Sequence, residues 1–394
     1  MISVKEAKQI IDQHILPLPV KVLPLAMAAG YTLAEDVYAK LDIPAFEQSS
    51  MDGYAIRFED REEPLIIHGE MQAGATVHST LLPGHASRIF TGAPLPLGAD
   101  TVVMQEKVTV NDSQLIINDP SLIIGINVRH KGAEAAAGAL AIPKGSKLTP
   151  AALGFLAGIG ETEVPVYRAP AVAIIVTGKE LQQPGQELSF GQVYESNSYS
   201  LTAALEQAHV NKINFYSADD VLEELTATLR EALDNNDLIL LTGGVSVGDY
   251  DFVLRAAQNC GITQLFHKIK QKPGKPLYFG KKGGKIIFGL PGNPSSVLSC
   301  FYQYVLPAIG KMEGQPFSGL KTINALLTHD FYTKTAGLTH FLKAHFDDGK
   351  VTPLNAQESF RMSSFAQANC MVELAEEQTV YTAGTSVKVY LIPE

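Results

Sequence analysis

Glycines and acidic residues follow one apolar strand closely enough to bind an anion and a cation together. The stretch 238–241 runs into Thr242 and two glycines, and Asp249 and Asp251 follow a few residues later. Glycine lets backbone N–H groups approach an anion, and carboxylate oxygens are the ligands that magnesium prefers. The pattern predicts a site that handles phosphate and a divalent cation together.

Three more loops with similar residues follow predicted strands. Their sequences are Thr177-Gly178-Lys179-Glu180, Ser217-Ala218-Asp219-Asp220 and Gly289-Leu290-Pro291-Gly292-Asn293-Pro294-Ser295-Ser296. In an open parallel sheet, ligands bind outside the carboxyl ends of the strands, so the four loops should meet at one edge. Lys272 and Lys275, in the turn Lys-Pro-Gly-Lys-Pro, add positive charge for a phosphate or an oxyanion.

Each loop taken alone also has a purely structural interpretation. A Gly-Gly turn is often only a turn, and Asp219, Asp220, Asp249 or Asp251 could each cap a helix. Lys272 and Lys275 could belong to a solvated turn. The occurrence of all four loops on one predicted edge favours a functional site.

Alternating patterns of strand and helix place these loops in an α/β fold. Strands are predicted over 171–176, 212–216, 238–241 and 286–288, and helices over 197–208, 221–233, 252–258 and 295–306. This alternation predicts a doubly wound parallel sheet. A capping box at Ser3 and Glu6 predicts a helix over about 4–16. Short apolar stretches cut by Gly and Pro predict a β-rich module over 42–141, and 318–394 is predicted to be β with no good helix.

Composition narrows the class of protein. The 394 residues are 46% hydrophobic with a net charge of −10, which is typical of a globular protein and argues against nucleic-acid binding. We expect a cytoplasmic protein with no membrane segment or secretory signal, because apolar runs are strand-sized and the three cysteines lack disulfide or zinc spacing. Neither GxxxxGK[ST] nor a strand-linked GxGxxG occurs, which disfavours P-loop and dinucleotide-binding enzymes.

Six motifs, in order along almost the whole chain, resemble one known family. They are DIPAFEQSSMDGYA from Asp42, IFTGAPLPLGAD from Ile89, NVR from Asn127 followed by Gly132, TGGVSVGDYD from Thr242, KPGKP from Lys272 and GLPGNP from Gly289. The chain resembles the molybdopterin molybdenumtransferases, the MoeA and gephyrin E-domain family. It departs from that pattern at Ala133-Glu134, where Glu-Asp is usual, and at Lys179, where the family often has another acid.

The resemblance implies a fold, a reaction and partners. The fold would be multidomain α/β and β, with an α/β molybdopterin-binding domain (1–20 and 171–311), a linking domain (21–41 and 142–170), a β-rich inserted domain (42–141) and a C-terminal β-barrel-like domain (318–394). The enzyme would insert molybdate into adenylylated molybdopterin with release of AMP, would depend on Mg²⁺ and would form a homodimer. Its further partners would include molybdopterin adenylyltransferase and molybdoenzyme maturation proteins.

The resemblance also assigns residues by their place in the motifs. The catalytic residues would be Asp251, Asp219, Glu180, Asp52 and Thr91, of which the first three would also bind the metal. Substrate would be bound by Ser49, Thr242, Gly243, Gly244, Ser246, Lys268, Lys272, Lys275, Pro291, Asn293, Pro294 and Ser295. Three alternatives stay open at this point, which are a molybdopterin adenylyltransferase, a non-catalytic pterin-binding or scaffold protein, and a tungstate-selective relative.

Overall fold

The chain forms two compact units. A computed structural model describes residues 1–76, 79–244, 252–317, 319–333 and 336–393. The first unit comprises Met1–Val22, Gly30–Ala34 and Pro165–Glu394, and the second comprises Leu23–Ala29 and Glu35–Val164. The predicted strand-end loops and the predicted β-rich module therefore fall in different units.

A six-stranded sheet forms the centre of the first unit. Its strands are β1 (Ala171–Thr177), β2 (Lys212–Ala218), β3 (Leu238–Thr242), β4 (Thr263–His267), β5 (Tyr278–Lys282) and β6 (Lys285–Leu290). The spatial order is β2-β1-β3-β6-β5-β4; the first four strands are parallel, and β5 pairs antiparallel with both β6 and β4. The doubly wound parallel sheet is confirmed, and the antiparallel strands β4 and β5 are an addition that the apolar pattern did not reveal.

Both faces of this sheet are covered by hydrophobic cores. Consecutive strand residues point to opposite faces, so neighbouring residues of one strand belong to different cores. Ile174, Leu240 and Phe288 belong to a core on one face, which also takes in the N-terminal helix. Ile175 and Leu241 belong to the core on the other face, together with residues of two helices. This explains why β1 and β3 read as uninterrupted apolar runs.

Four helices of the first unit begin and end close to the predicted positions, namely Val4–His14, Asn197–Gln207, Leu222–Asn235 and Phe252–Asn259. The other helices of this unit in the described residues are Pro294–Cys300, Leu306–Met312 and Met362–Phe365, with a π-helical turn at Phe301–Val305. The capping box is present, since the Ser3 side chain accepts from the Glu6 N–H and the Glu6 carboxylate accepts from the Ser3 N–H. The helix predicted over 295–306 instead spans two α-helical segments joined by the π turn.

A closed five-stranded barrel forms the C-terminal part of the first unit. Its strands are Thr322–Leu327, Thr339–Asp347, Lys350–Pro353, Cys370–Leu374 and Ser386–Leu391. The barrel closes because the strands Thr339–Asp347 and Cys370–Leu374 pair antiparallel. The predicted β-barrel-like domain is confirmed, and the one α-helix in its described residues is the four-residue turn Met362–Phe365, in line with the expectation of no good helix.

The second unit contains a six-stranded sheet. Its strands are Gly53–Ile56, Leu65–Met71, His85–Ile89, Thr101–Met104, Val108–Asn111 and Gln114–Ile117. The strands Val37–Tyr38, Gln48–Ser49, Val128–Arg129 and Leu140–Ile142 and the helix Pro150–Gly158 complete its regular structure in the described residues, with short 3₁₀ turns. The β-rich character predicted for 42–141 is confirmed.

The remaining strands of the described residues are Val20–Pro24, Glu163–Tyr167, Leu181–Gln182, Val193–Tyr194, Gln271–Lys272, Phe331–Tyr332 and Val380–Tyr381. None of the helices in the described ranges is both long and apolar enough to cross a lipid bilayer.

Candidate active-site cleft

A large cleft opens at the carboxyl edge of the central sheet. Its volume is about 1030 Å³, and all of its lining residues belong to the first unit. We call it the edge cleft. It is lined by the loop after β1, the first glycines after β3, the loop after β6, the turn 271–276, the start of the helix Asn197–Gln207, and residues 338, 357, 359 and 360 from the barrel region.

The loop after β1 bends Glu180 back toward the end of its strand. Gly178 has φ +140°, and a Cβ there would lie 2.9 Å from both carboxylate oxygens of Glu180. Only glycine leaves that space free for the carboxylate. The chain beyond is held by two short parallel strands, Leu181–Gln182 and Val193–Tyr194. Glu180 is therefore placed by backbone geometry at the rim of the cleft.

The glycines after β3 allow two loops to approach closely. Gly243 has φ +86°, and a Cβ on it would lie 2.7 Å from the carbonyl oxygen of Thr177. The Thr177 hydroxyl donates to the Thr242 carbonyl at 3.2 Å and joins the two strand ends. Gly243 and Gly244 line the cleft, so their backbone is available to an anion.

The loop after β6 brings its two prolines and an asparagine into the cleft. Pro291, Asn293 and Pro294 line it, and the Asn293 side chain donates to Ser359 Oγ at 2.9 Å. The N–H of Ser295 donates to the Ser359 carbonyl at 3.1 Å. A residue of the barrel region is thus held against this loop by two hydrogen bonds.

The Lys-Pro-Gly-Lys-Pro turn presents two exposed ammonium groups to the cleft. Lys272 and Lys275 both line it. Gly274 has φ +86° and faces a buried side chain, since Gln271 donates to its carbonyl at 3.0 Å. The hydrogen bond from Gln271 anchors the backbone of the turn, and the exposed Lys272 and Lys275 ammonium groups are accessible to an anion.

The carboxylates of Glu180 and Asp220 line the cleft, whereas the prediction named Glu180 and Asp219. Asp220 lines the cleft beside Glu180, whereas Asp219 is exposed and is not among the lining residues. Partial burial raises the pKa of Asp220, and the negative charges of Glu180 and Asp219 raise it further. The N–H and the positive charge of Lys179 act in the opposite direction and lower it. Repulsion of this kind is relieved by a cation. No group of three His, Cys, Asp or Glu side chains suited to a metal occurs among the described residues.

In the second unit, Asp52 and Thr91 form a hydrogen-bonded pair. The Asp52 carboxylate accepts from the Thr91 N–H and from its hydroxyl, both at 2.7 Å. These two bonds lower the pKa of Asp52, so the carboxylate stays charged. Ser49 is buried, and its hydroxyl donates to the Met51 carbonyl within the same loop.

The predicted site residues fall into five groups. Those that line the edge cleft are Glu180, Gly243, Gly244, Lys272, Lys275, Pro291, Asn293 and Pro294. Thr242 and Ser295 are buried beside it, and their hydroxyls have no partner in the described part of the chain. Asp219 and Lys268 belong to the first unit but do not line the cleft, and Ser49, Asp52 and Thr91 lie in the second unit. Ser246 and Asp251 lie outside the described residues.

Sequence reasoning missed several residues of the cleft. Asn197, Ser359 and Phe360 line it, and Asp220, from a predicted loop, lines it where Asp219 was expected. Asp220 is adjacent to a predicted residue, and Asn197 begins a predicted helix that follows the loop after β1, so both positions carried a local signal. Ser359 and Phe360 come from a distant segment without a recognisable motif, and only the tertiary fold brings them to the sheet edge.

Comparison with known proteins identifies relatives over the full length. Three family models match: the MoeA N-terminal region (domain I and II) at 2–160, a probable molybdopterin binding domain at 173–311 and the MoeA C-terminal region (domain IV) at 325–392. A molybdopterin molybdenumtransferase of Haemophilus influenzae is 33% identical over 99% of this chain and 98% of its own. One from a Nostoc species is 35% identical, over 95% of this chain and 89% of its own. A crystal structure of the molybdopterin biosynthesis MoeA protein from Pyrococcus horikoshii has a TM-score of 0.86 and 29% identity, with full coverage of both chains.

Proposed function

We infer that this chain, which belongs to the MoeA family of molybdopterin molybdenumtransferases, inserts molybdenum into molybdopterin. The observation that carries the inference is the edge cleft itself. It combines glycine-lined backbone, two lysines and a pair of carboxylates at the carboxyl ends of parallel strands, within the segment matched as a molybdopterin binding domain.

We propose that the substrate is adenylylated molybdopterin and that AMP leaves as molybdate enters the dithiolene. A cleft of about 1030 Å³ has room for a pterin joined to a nucleotide. Lys272 and Lys275 would hold the anionic groups, and Gly243 and Gly244 would offer backbone N–H groups to a phosphate. Insertion and loss of AMP would then be coupled by proximity.

Magnesium fits the donor set of the cleft. Glu180 and Asp220 provide hard oxygen ligands, and a divalent cation would neutralise the negative charges of Glu180 and Asp219, which add to the effect of burial in raising the pKa of Asp220. We propose that these two carboxylates hold Mg²⁺, and that the family positions Asp219 and Asp251 assist. Bound there, the ion would polarise the pyrophosphate linkage.

The magnesium proposal has a test that does not depend on turnover. Mn²⁺ serves as a paramagnetic stand-in, and its binding is followed by electron paramagnetic resonance in the wild type, Glu180→Gln, Asp220→Asn and Asp219→Asn. Glu187→Gln is the matched control, because Glu187 is an exposed carboxylate that does not line the cleft. We expect weaker Mn²⁺ binding in Glu180→Gln and Asp220→Asn and unchanged binding in the control. Equal affinity in all five proteins would refute the assignment.

We also propose that the enzyme is a cytoplasmic homodimer in which a second copy contributes the Asp52–Thr91 pair. The support is the family motifs around these residues, which lie in a unit separate from the edge cleft. Mixing inactive Asp52→Ala with inactive Glu180→Gln should restore part of the activity, because a mixed dimer would contain one intact pair of partners. Failure of the two folded variants to complement each other would count against this arrangement.

The activity is tested with purified protein, adenylylated molybdopterin, Mg²⁺ and molybdate, with AMP release as the readout. We expect AMP to form only when molybdate is present. Adenylylated molybdopterin and pyrophosphate formed from ATP and free molybdopterin would instead identify an adenylyltransferase. Binding without any product would identify a pterin carrier, and a parallel reaction with tungstate measures metal preference.

A further inference from the structure

Asn197 joins two walls of the edge cleft. It is the first residue of the helix Asn197–Gln207 and only 7% exposed, yet it lines the cleft. Its Nδ2 donates to the carbonyl oxygen of Gly292 at 2.9 Å. Gly292 lies in the loop after β6, and a Cβ added to it would be 3.7 Å from the Cα of Gly243. The Asn197 side chain therefore contacts the point where the loops after β3 and β6 meet.

The position of Asn197 is set by the protein alone. Glu195, which is 4% exposed, accepts from the Ser198 N–H at 2.8 Å and from its hydroxyl at 2.5 Å. The Ser200 hydroxyl donates to the Asn197 carbonyl at 3.0 Å. These bonds fix the first turn of the helix, so that the amide is held in place before any ligand arrives.

The other half of the Asn197 amide is unpaired. Its Oδ1 is buried without a hydrogen-bond partner among the residues that the structure describes. The same holds for the hydroxyl oxygens of Thr242 and Ser295, which flank the same meeting point of loops. An unpaired buried polar atom costs about 1–3 kcal/mol, so a cluster of them indicates groups that pair when a ligand binds.

The unpaired hydroxyls and the unpaired amide oxygen need different kinds of hydrogen-bond partner. A hydroxyl can donate to an anion, but an amide oxygen can only accept. Molybdate and a fully ionised phosphate carry no hydrogen to donate. An N–H or O–H group on the organic part of the ligand can supply the hydrogen bond that Asn197 Oδ1 lacks, whereas these anions cannot.

We propose that Asn197 is a substrate-binding and positioning residue. Its Oδ1 accepts a hydrogen bond from an N–H or O–H group of the bound substrate, while its Nδ2 holds the Gly292 carbonyl and with it the loop after β6. This inference rests on the proposed function, since it takes the edge cleft to be the pterin and nucleotide site. The donor is either an N–H of the pterin or a hydroxyl of the ribose.

Binding measurements with each half of the substrate distinguish the two sources. Isothermal titration with molybdopterin and, separately, with AMP is carried out on the wild type and on Asn197→Ala. The matched control is Asn214→Ala, because the Asn214 side chain on β2 pairs with Asn236 and does not line the cleft. We expect Asn197→Ala to bind one of the two ligands on the order of 10-fold more weakly, and the control to bind both as the wild type does.

A second variant separates ligand contact from simple loss of structure. Asn197→Asp keeps an acceptor but sets a carboxylate against the Gly292 carbonyl, and only its protonated form can donate there. We expect its affinity to recover as the pH is lowered, which a structural defect would not do. Unchanged affinity of Asn197→Ala for both ligands, with normal wild-type binding, would overturn this inference alone. A wild type that binds neither ligand would overturn the proposed function as well.

Discussion

Replacement of Gly243 by alanine tests whether the close approach of two strand-end loops builds the site. Gly243 has φ +86°, in the left-handed region where alanine costs about 1–2 kcal/mol. A Cβ would also lie 2.7 Å from the Thr177 carbonyl oxygen and 2.9 Å from its hydroxyl. Overpacking of this kind adds about 1–3 kcal/mol, so Gly243→Ala should lower the free energy of unfolding by about 2–5 kcal/mol.

Gly283 provides the matched control for backbone strain. It has φ +58°, and a Cβ there meets nothing within 4 Å. It lies in the hairpin before β6, at the opposite end of that strand from the cleft. Gly283→Ala should therefore lower the free energy of unfolding by only about 1–2 kcal/mol, the cost of placing alanine in the left-handed conformation. The variant should keep its activity.

Urea unfolding and AMP release are measured on both variants under conditions in which each is folded. Gly243→Ala should lose far more activity than Gly283→Ala, because the shift it forces moves backbone that lines the cleft. Equal stability loss in the two variants would refute the steric argument. Normal turnover by Gly243→Ala would refute the role of the loop in the site.

Three further predictions concern a pH dependence, a buried cation and a hydrogen-bonded pair. Burial raises the pKa of Asp237, but Arg168, bound at 2.6 and 2.7 Å, together with the Ala171 N–H and the charge of Lys285, lowers the pKa overall. Asp237 therefore stabilises the fold above its ordinary pKa of about 4 and loses that effect as the pH falls through its lowered value. Asp237→Asn should remove this part of the acid dependence in urea titrations at several pH values, and an unchanged acid dependence would contradict it. Lys343 is 2% exposed and donates to three carbonyls of residues 356–361, so Lys343→Met should cost about 2–4 kcal/mol in urea unfolding; a loss below about 1 kcal/mol would show that those bonds contribute little. Thr91→Val removes one donor to Asp52, so any rate dependence on that carboxylate should shift to higher pH, while Thr91→Ser should keep the wild-type profile. Identical pH–rate profiles for the two Thr91 variants would exclude the hydroxyl from that role.

Most strands and helices of the fold could be predicted from local sequence patterns. The apolar runs of β1 and β3 predict buried parallel strands because both of their faces are covered, and the residues after them predict the loops of the cleft correctly. The antiparallel strands β4 and β5 were missed, since Thr263–His267 contains polar residues and Tyr278–Lys282 is interrupted by glycine. Their place in the sheet depends on pairing with β6, which is a tertiary property.

The candidate site was predictable where one short segment contains both the strand end and the functional residue. Glu180, Gly243 and Pro291 are of this kind. The choice between Asp219 and Asp220 depends on which way each side chain points at the end of β2, where the Asp220 carboxylate accepts from the Lys179 N–H. Ser359 lies in a loop whose carbonyls accept from Lys343 on a barrel strand, and Asn293 and Ser295 bind it at the cleft. Neither contact can be predicted from the spacing of residues along the chain.

The most direct test of the central claim is the ratio of AMP released to molybdenum bound in the pterin product. AMP is measured by chromatography and metal by mass spectrometry in the same single-turnover reaction. The account predicts one AMP for each molybdenum inserted, with neither formed when molybdate is omitted or Glu180 is replaced by glutamine. AMP release that is independent of molybdate, or molybdenum insertion without AMP, would contradict it.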